Sequence, residues 1–150
     1  MKKRNKEDRF VRYILFYQQL YREGFKRCAK FLYWIYRIVF NIDIPCTVRI
    51  GKLLRLPHYG MGVVVHPNTI IGDNVTMYHQ VTIGARGRKW NVVIGDNVLI
   101  GAGAKILGSI TIGNNVNIGA NAVVLDSVPD NATVAGIPAK IVSTNNHPCE

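Results

Sequence analysis

Asp43 and His58 are the residues of this sequence whose types and spacing could do chemistry, and they lie 15 positions apart. An imidazole has an unperturbed pKa of about 6.5, so a histidine can accept the proton of an alcohol while the alcohol oxygen attacks an acyl group. A carboxylate behind the ring would fix its tautomer and stabilise the imidazolium that forms. By themselves, these two residues fit a corner aspartate and a surface imidazole at least as well. Their role therefore depends on the elements that hold them.

An aliphatic residue recurs every six positions along most of the chain after residue 43. A helical period cannot sustain such a pattern over about eighty residues, whereas short strands separated by tight corners can. Glycine, asparagine and aspartate mark the corners, as in IGDN at 71–74 and 94–97 and IGNN at 112–115. The pattern predicts a β-solenoid whose triangular coils of three hexads stack about 4.8 Å apart. The predicted inward residues are Ile44, Ile50, Leu56, Val65, Ile71, Met77, Ile83, Ile94, Ile100, Ile106, Ile112, Ile118 and Val124.

Two breaks interrupt this six-residue pattern. One adds three residues between Leu56 and Val65, and the other adds five between Ile83 and Ile94. His58 lies in the first break, and the second, GARGRKWNVV, is predicted to bulge out as a loop. Functional residues of a solenoid tend to lie in such breaks, because loops need not follow the core. Asp43 lies a little less than one coil before His58, so the two side chains could meet on neighbouring coils.

The repeat resembles that of the hexapeptide-repeat acyltransferases, and four motifs are similar to their serine acetyltransferase branch. These motifs are VTIG at 81–84, IGAGAKILGSITIG at 100–113, IGANAVV at 118–124 and VAGIPAKIV at 134–142. The resemblance covers residues 41–142 and implies a mainly β fold, a left-handed parallel β-helix that assembles as a homotrimer. The left hand comes from the resemblance alone, because periodicity does not reveal handedness.

The resemblance also implies roles for individual residues. Asp43 and His58, in DIPCTVRIGKLLRLPH, fall on the family's catalytic aspartate and histidine at the same separation. The expected activity is therefore O-acetyl transfer with His58 as general base. His79 is predicted to face solvent or a subunit boundary. No metal is expected, because the four histidines of the chain lack the spacing of metal ligands.

Acetyl-CoA is the acyl donor that the resemblance implies. Gly84, Ala102 and Ala120 fall where the family binds coenzyme A, and Lys140 resembles the basic position near the nucleotide phosphates. Small residues along one edge would let the coenzyme lie against backbone amides. Taken singly, each small residue is explained as well by the need to fit a solenoid corner.

The expected acceptor is where this sequence departs from the serine acetyltransferases. They hold their amino acid through an aspartate before the catalytic histidine and an Arg-His pair in the loop, and the matching residues here are Pro57, Trp90 and Asn91. A zwitterion would lose its charge-matched partners, whereas Trp90 offers a flat surface for a sugar. The sequence therefore predicts a sugar hydroxyl of a polysaccharide or glycolipid precursor as acceptor. Serine is the alternative acceptor, and a non-catalytic β-solenoid binding module is the alternative of another class.

The net charge of +10 is concentrated in residues 1–40, which contain 11 of the 19 Lys and Arg but only three acidic residues. This aromatic-rich segment is predicted to form one or two amphipathic helices. Its apolar runs are too short for a signal peptide or a spanning helix. It is expected either to pack on the protein or a sister subunit, or to lie on an anionic membrane surface. A nucleic-acid partner is not expected, because no recognition motif accompanies the charge.

The sequence thus divides into a basic helical segment, residues 1–40, a β-helix acyltransferase domain, residues 41–142, and a tail, residues 143–150. The three cysteines are odd in number and scattered, so neither a disulfide framework nor a zinc site is indicated. A reducing cytoplasm is the expected location, with the inner membrane face as the place for any peripheral contact.

Overall fold

The computed structural model of this chain describes residues 9–85 and 91–144. Two helices, α1 (Arg9–Arg22) and α2 (Lys26–Phe40), precede a series of short strands. A 3₁₀ turn, Pro57–Gly60, follows the first strand. The strands are β1 (Arg49–Ile50), β2 (Val64–Val65), β3 (Ile70–Ile71), β4 (Thr76–Met77), β5 (Thr82–Gly84), β6 (Val93–Ile94), β7 (Leu99–Ile100), β8 (Lys105–Leu107), β9 (Thr111–Ile112), β10 (Asn117–Ile118), β11 (Val123–Val124), β12 (Thr133–Ala135) and β13 (Lys140–Ser143).

These strands stack into three sheets that form the faces of a triangular prism. The first face has the order β2-β5-β8-β11, the second β1-β3-β6-β9 and the third β4-β7-β10-β12-β13. The pairs are parallel except for β12 with β13, which is antiparallel. The chain visits the first, second and third faces in turn, so each coil contributes one strand to each face. The predicted left-handed parallel β-helix is confirmed.

The six-residue pattern corresponds to the interior of the prism. Every predicted inward residue is buried except Ile50, which is half-buried at the first coil. The parallel pairing places equivalent residues of successive coils side by side, so that Ile83 lies beside Ile106 and Ile100 beside Ile118. Burying each such side chain contributes about 1.5–3 kcal/mol. This repeated burial fixes the register, because a slip of one residue would turn every aliphatic side chain to solvent.

The asparagines of the predicted corners stack as a ladder. Asn74, Asn97, Asn115 and Asn131 all have φ between 55 and 58°, in the left-handed region that asparagine tolerates better than most residues. The first three side-chain amides each donate to the asparagine of the next coil, at 2.8, 3.1 and 2.9 Å in succession. The corner chemistry predicted from IGDN and IGNN is therefore present, and it recurs on successive coils.

The two helices form a hairpin that packs on the first coil of the β-helix. The hydroxyl of Tyr17 donates to the carbonyl of Ile44 at 2.6 Å, and Gln18 Nε2 donates to the carbonyl of Pro45 at 3.1 Å. The apolar side of α1 belongs to the same core as the β-helix. The ring of Phe10 contacts that of Phe40 across the hairpin, with centroids 4.9 Å apart. Helix α1 is thus a packing helix, which was one of the two alternatives for the N-terminal segment.

Candidate active site

The three-residue break builds a tight turn that presents His58 at the surface. His58 and Tyr59 have φ of 57° and 59°, which costs about 1–2 kcal/mol for each non-glycine residue. The turn closes where Gly62 N donates to the carbonyl of Asn41 at 2.7 Å and Val63 N to that of Gly60 at 2.9 Å. Non-glycine residues held in this region concentrate at functional sites, so the distortion supports a role for the exposed His58.

His58 lies at the foot of one edge of the prism. The corner between the third and first faces, here called the return corner, comprises residues 57–63, 78–81, 101–104 and 119–122. Its coils are joined by backbone hydrogen bonds from Gln80 to Met61 (2.8 Å), Gly103 to His79 (3.0 Å) and Asn121 to Ala102 (2.8 Å). Ala102 and Ala120 therefore lie two and three coils from His58, roughly 10 and 14 Å along the edge.

His79 occupies the next coil of the return corner and contacts His58 directly. The ring centroids are 5.3 Å apart, with the planes at 89°. Nδ1 of His79 is buried and has no hydrogen-bond partner among the residues that the structure describes. Of the two predicted environments, solvent does not apply to this atom, and a subunit boundary stays a prediction. The spacing in the sequence indicates this contact between the two histidines, because His79 follows His58 by one 18-residue coil plus the three extra residues.

Asp43 lies on the first face, where it pairs with Val64 of the next coil. The hydroxyl of Tyr33 donates to its Oδ1 at 2.5 Å, and Arg37 Nη2 lies 3.3 Å from its Oδ2. Within residues 9–85 and 91–144, no hydrogen bond joins Asp43 to His58. The predicted Asp–His hydrogen bond is therefore not present among the described residues, and side chains of helix α2 contact both carboxylate oxygens instead. Sequence reasoning missed Tyr33 and Arg37, since nothing in the pattern shows which side of α2 meets the first coil.

The Tyr33 hydroxyl is expected to hold Asp43 up to strongly alkaline pH. Burial and the hydrogen bond to Asp43 raise the pKa of Tyr33 to about 12. Because its pKa in the unfolded chain is about 10, its stabilising effect is complete below about pH 10 and is lost as the pH rises towards 12. We expect the difference in unfolding free energy between wild type and Tyr33→Phe to be constant below pH 10 and to shrink above it.

Denaturant unfolding at a series of pH values measures this difference. Tyr13→Phe is the matched control, because it removes a hydroxyl from the exposed side of α1. A Tyr33→Phe difference that stays constant from pH 9 to 12 would contradict the assignment of Tyr33 as the donor.

The other two residues predicted to bind acetyl-CoA, Lys140 and Gly84, lie in different places relative to the return corner. Lys140 begins β13 with an exposed side chain, and Ala139 N before it donates to Val123 O at 2.8 Å, on the coil that contains Ala120. Lys140 therefore lies at the far end of the return corner from His58. Gly84 does not lie on this corner. It ends β5 at the opposite edge of the first face, where it lines a cleft of about 290 Å³ together with Asp43.

The second break lies between β5 and β6, at the corner between the first and second faces. Trp90 lies outside the described residues, whereas Asn91 is exposed where the chain returns to the prism. Asn91 lines a cavity of about 340 Å³ with Arg49 and Thr69. This corner and the return corner are at opposite edges of the first face. A single chain therefore does not bring Asn91 and His58 together.

Comparison with known proteins adds a family to this geometry. A family model described as bacterial transferase hexapeptide (six repeats) matches residues 91–126. A serine acetyltransferase of Staphylococcus aureus (strain Mu50 / ATCC 700699) is 50% identical over 127 residues, which are 83% of this chain and 59% of that relative.

Solved structures give the same result. The chain is similar to the crystal structure of a Neisseria gonorrhoeae serine acetyltransferase, with a TM-score of 0.86 and 37% identity over 93% of this chain and 54% of that one. A serine acetyltransferase in complex with CoA has a TM-score of 0.80 and 34% identity, over 89% of this chain and 55% of that one. The chain spans less than two thirds of each of these proteins.

Proposed function

The chain belongs to the hexapeptide-repeat transferase superfamily, in its serine acetyltransferase-like branch, and on that premise we propose that it is an acetyl-CoA-dependent O-acetyltransferase. The observation that carries the proposal is the position of His58, on a distorted turn at the foot of the return corner. Ala102 and Ala120 continue that corner on the coils above it. Acetyl-CoA is a long molecule, so transfer of its acyl group to an alcohol fits an edge of small side chains with a base at one end.

His58 acts as general base in the proposed mechanism. The neutral imidazole takes the proton of the acceptor hydroxyl as its oxygen attacks the thioester carbonyl. The carbon–sulfur bond then breaks, and the imidazolium returns the proton to the coenzyme A sulfur. The ester of the acceptor and free coenzyme A are the products, without an acyl-enzyme. In the proposed mechanism Asp43 stabilises the imidazolium by its negative charge and without a direct hydrogen bond, while Tyr33 and Arg37 hold the carboxylate in place.

The return corner fits an extended acyl donor. Neither Ala102 nor Ala120 carries atoms beyond Cβ, and Ala120 is exposed. A Cβ on Gly101 would lie 2.5 Å from the backbone nitrogen of Ala120, so the two coils already approach as closely as they can. Lys140, at the far end, offers a cation to the phosphates. These residues are the proposed donor site, together with Gly84.

We propose a homotrimer in which neighbouring subunits complete the site. His58 and the proposed acceptor residue Asn91 lie at opposite edges of the first face. They can contact one acceptor only when a neighbour presents its loop corner beside His58. Gly84 also lies at the opposite edge of the first face from Ala102 and Ala120. It can therefore contact the same acetyl-CoA molecule only when it belongs to a neighbouring subunit. Sedimentation is the measurement that checks the trimer.

L-Serine is the proposed acceptor. The relatives are serine acetyltransferases by name, and this resemblance supports serine over the sugar acceptor predicted from Pro57, Trp90 and Asn91. We expect saturable acetylation of L-serine, followed as free thiol released from acetyl-CoA. Pro57→Asp restores the carboxylate beside His58 and should raise kcat/KM for serine by roughly tenfold or more, because a hydrogen bond to a charged group then holds the ammonium.

A saccharide hydroxyl is the second candidate, favoured by Pro57 and Asn91, which supply no counter-charges for a zwitterion. The two acceptors are distinguished by comparing kcat/KM for L-serine with that for a panel of nucleotide sugars and oligosaccharides. If serine is inert and a saccharide is acetylated, the chemistry of His58 stands but serine is the wrong acceptor. If free coenzyme A appears with neither class, the proposal of an O-acetyltransferase for these acceptors fails.

A reducing compartment, the cytoplasm, is the proposed location. Cys28 and Cys46 are free in the structure, and burial raises the pKa of the Cys46 thiol, which keeps it protonated. Thiols of this kind need no oxidising environment to be stable.

A further inference from the structure

Helix α2 is apolar on two opposite sides. Its inner side packs on α1 and the first coil, through Ala29, Leu32, Tyr33, Tyr36 and Phe40. Its other side, here called the outer face, consists of Phe31, Trp34, Ile35, Ile38 and Val39. The exposed fractions are 66% for Phe31, 73% for Ile38 and 64% for Val39. At about 100° per residue, these five side chains form one continuous stripe. A stripe of large exposed apolar side chains marks an interaction surface.

The charged side chains of helix α2 all have one sign. Helix α2 contains Lys26, Arg27, Lys30 and Arg37 and no acidic residue. Arg37 pairs with Asp43, which leaves Lys26, Arg27 and Lys30 exposed at the beginning of the helix. The nearest acidic residue before the helix, Glu23, accepts a hydrogen bond from Gln19 of α1. The outer face is therefore an apolar stripe with a cationic border.

This combination favours an anionic lipid surface over a second copy of the chain. Two outer faces packed against each other in parallel would bring the basic borders of both copies together, and like charges in contact are unfavourable. A bilayer with anionic lipids accepts the apolar stripe and attracts the cations. Neither α1 nor α2 is long and apolar enough to cross a bilayer, within the part of the chain that the structure describes. We propose that the outer face of α2 docks on the surface of an anionic membrane.

Docking would place the candidate active site close to the lipid. Tyr33, which donates to Asp43, lies on the inner side of the same helix, whereas the Arg37 guanidinium lies over the ring of Trp34, 5.4 Å from its centroid. A helix with its side chains is about 10 Å across, so Asp43 would lie about that distance from the membrane surface. The surface is independent of the acceptor, and its test does not require activity.

Trp34 reports docking directly. The chain has two tryptophans, so Trp90→Phe leaves Trp34 as the sole tryptophan, whose emission can be excited selectively beside the tyrosines. With vesicles of phosphatidylglycerol and phosphatidylcholine, we expect a blue shift of Trp34 emission and quenching by brominated lipid. Pure phosphatidylcholine vesicles should give much weaker binding, and salt should weaken the binding to anionic vesicles. Sedimentation in the absence of lipid measures the size of the assembly.

Matched charge variants distinguish the effect of the outer face on vesicle binding from the effect of the protein's net charge. Arg27→Gln with Lys30→Gln should lower partition to anionic vesicles about 30-fold, because each lost cation weakens attraction to the surface. Arg49→Gln with Lys52→Gln removes the same charges from the β-helix and should change partition little. Phe31→Ser with Ile38→Ser keeps every charge and should lower partition more than about tenfold. Circular dichroism checks that each variant is folded.

Two results would overturn the proposal. One is a wild-type chain that leaves anionic vesicles unbound at low salt. The other is a Trp34 emission that is already blue-shifted without lipid and shifts to the red on dilution as the assembly dissociates. That result would assign the outer face to a second copy of the chain.

Discussion

Replacing His58 with alanine is expected to lower kcat about 10²–10⁴-fold, because the variant has no group to take the acceptor proton during attack. Binding of coenzyme A should remain nearly unchanged. His58 lies at one end of the proposed donor path, and Ala102 and Ala120 are two and three coils away. Initial rates of thiol release from acetyl-CoA measure the loss, and calorimetry measures coenzyme binding.

Asp43→Asn is the informative companion to His58→Ala. In the wild type, Tyr33 and Arg37 contact the two carboxylate oxygens of Asp43. The asparagine side chain of the variant keeps an acceptor for the Tyr33 hydroxyl but loses the ion pair with Arg37. Its effect on kcat should be smaller than that of His58→Ala, because the base itself remains. A His58→Ala variant that is folded, trimeric and as fast as wild type would disprove the mechanism. Equal losses in the two variants would make Asp43 as essential as the base.

Replacing Gly101 with alanine is expected to lower the free energy of unfolding by about 1–3 kcal/mol and to raise KM for acetyl-CoA. The added Cβ would lie 2.5 Å from Ala120 N and 2.8 Å from the carbonyl carbon of Gly119. Both are backbone atoms and cannot rotate away. The two coils must therefore separate at the return corner, where the donor is proposed to lie.

Gly84→Ala is the matched control for Gly101→Ala. Among the residues that the structure describes, its Cβ would meet the tip of Leu107, at 3.2 Å, and a methyl of Thr82, at 3.8 Å. Since the leucine tip can move, we expect almost no loss of stability. If Gly84 contacts the donor, KM for acetyl-CoA rises without that loss. Thermal unfolding and steady-state kinetics on both variants make the comparison, and a fully stable Gly101→Ala would contradict the close approach of the coils.

The sequence by itself determined the β-helix, because the determinants of this fold are local and repeated. Alternation of side chains every second residue sends Ile83, Ile100 and Ile118 inward whatever the rest of the chain does. The asparagines accept the left-handed corners on successive coils for the same reason. The sequence also located His58 at a break in the repeat. It gave no basis for the left hand beyond the family resemblance.

Only the tertiary structure decided which side chains meet. Asp43 contacts Tyr33 and Arg37 because α1 anchors the hairpin through Tyr17, and no period in the sequence encodes that docking. The breaks also shift the register of later coils, which brings His79 against His58. Asn91 and His58 lie at opposite edges of the first face. Each was predicted from a break in the repeat, and the two breaks fall at different corners of the triangle. Local patterns fix a strand and its corners, whereas a site depends on how many residues each coil contains and on what packs against it.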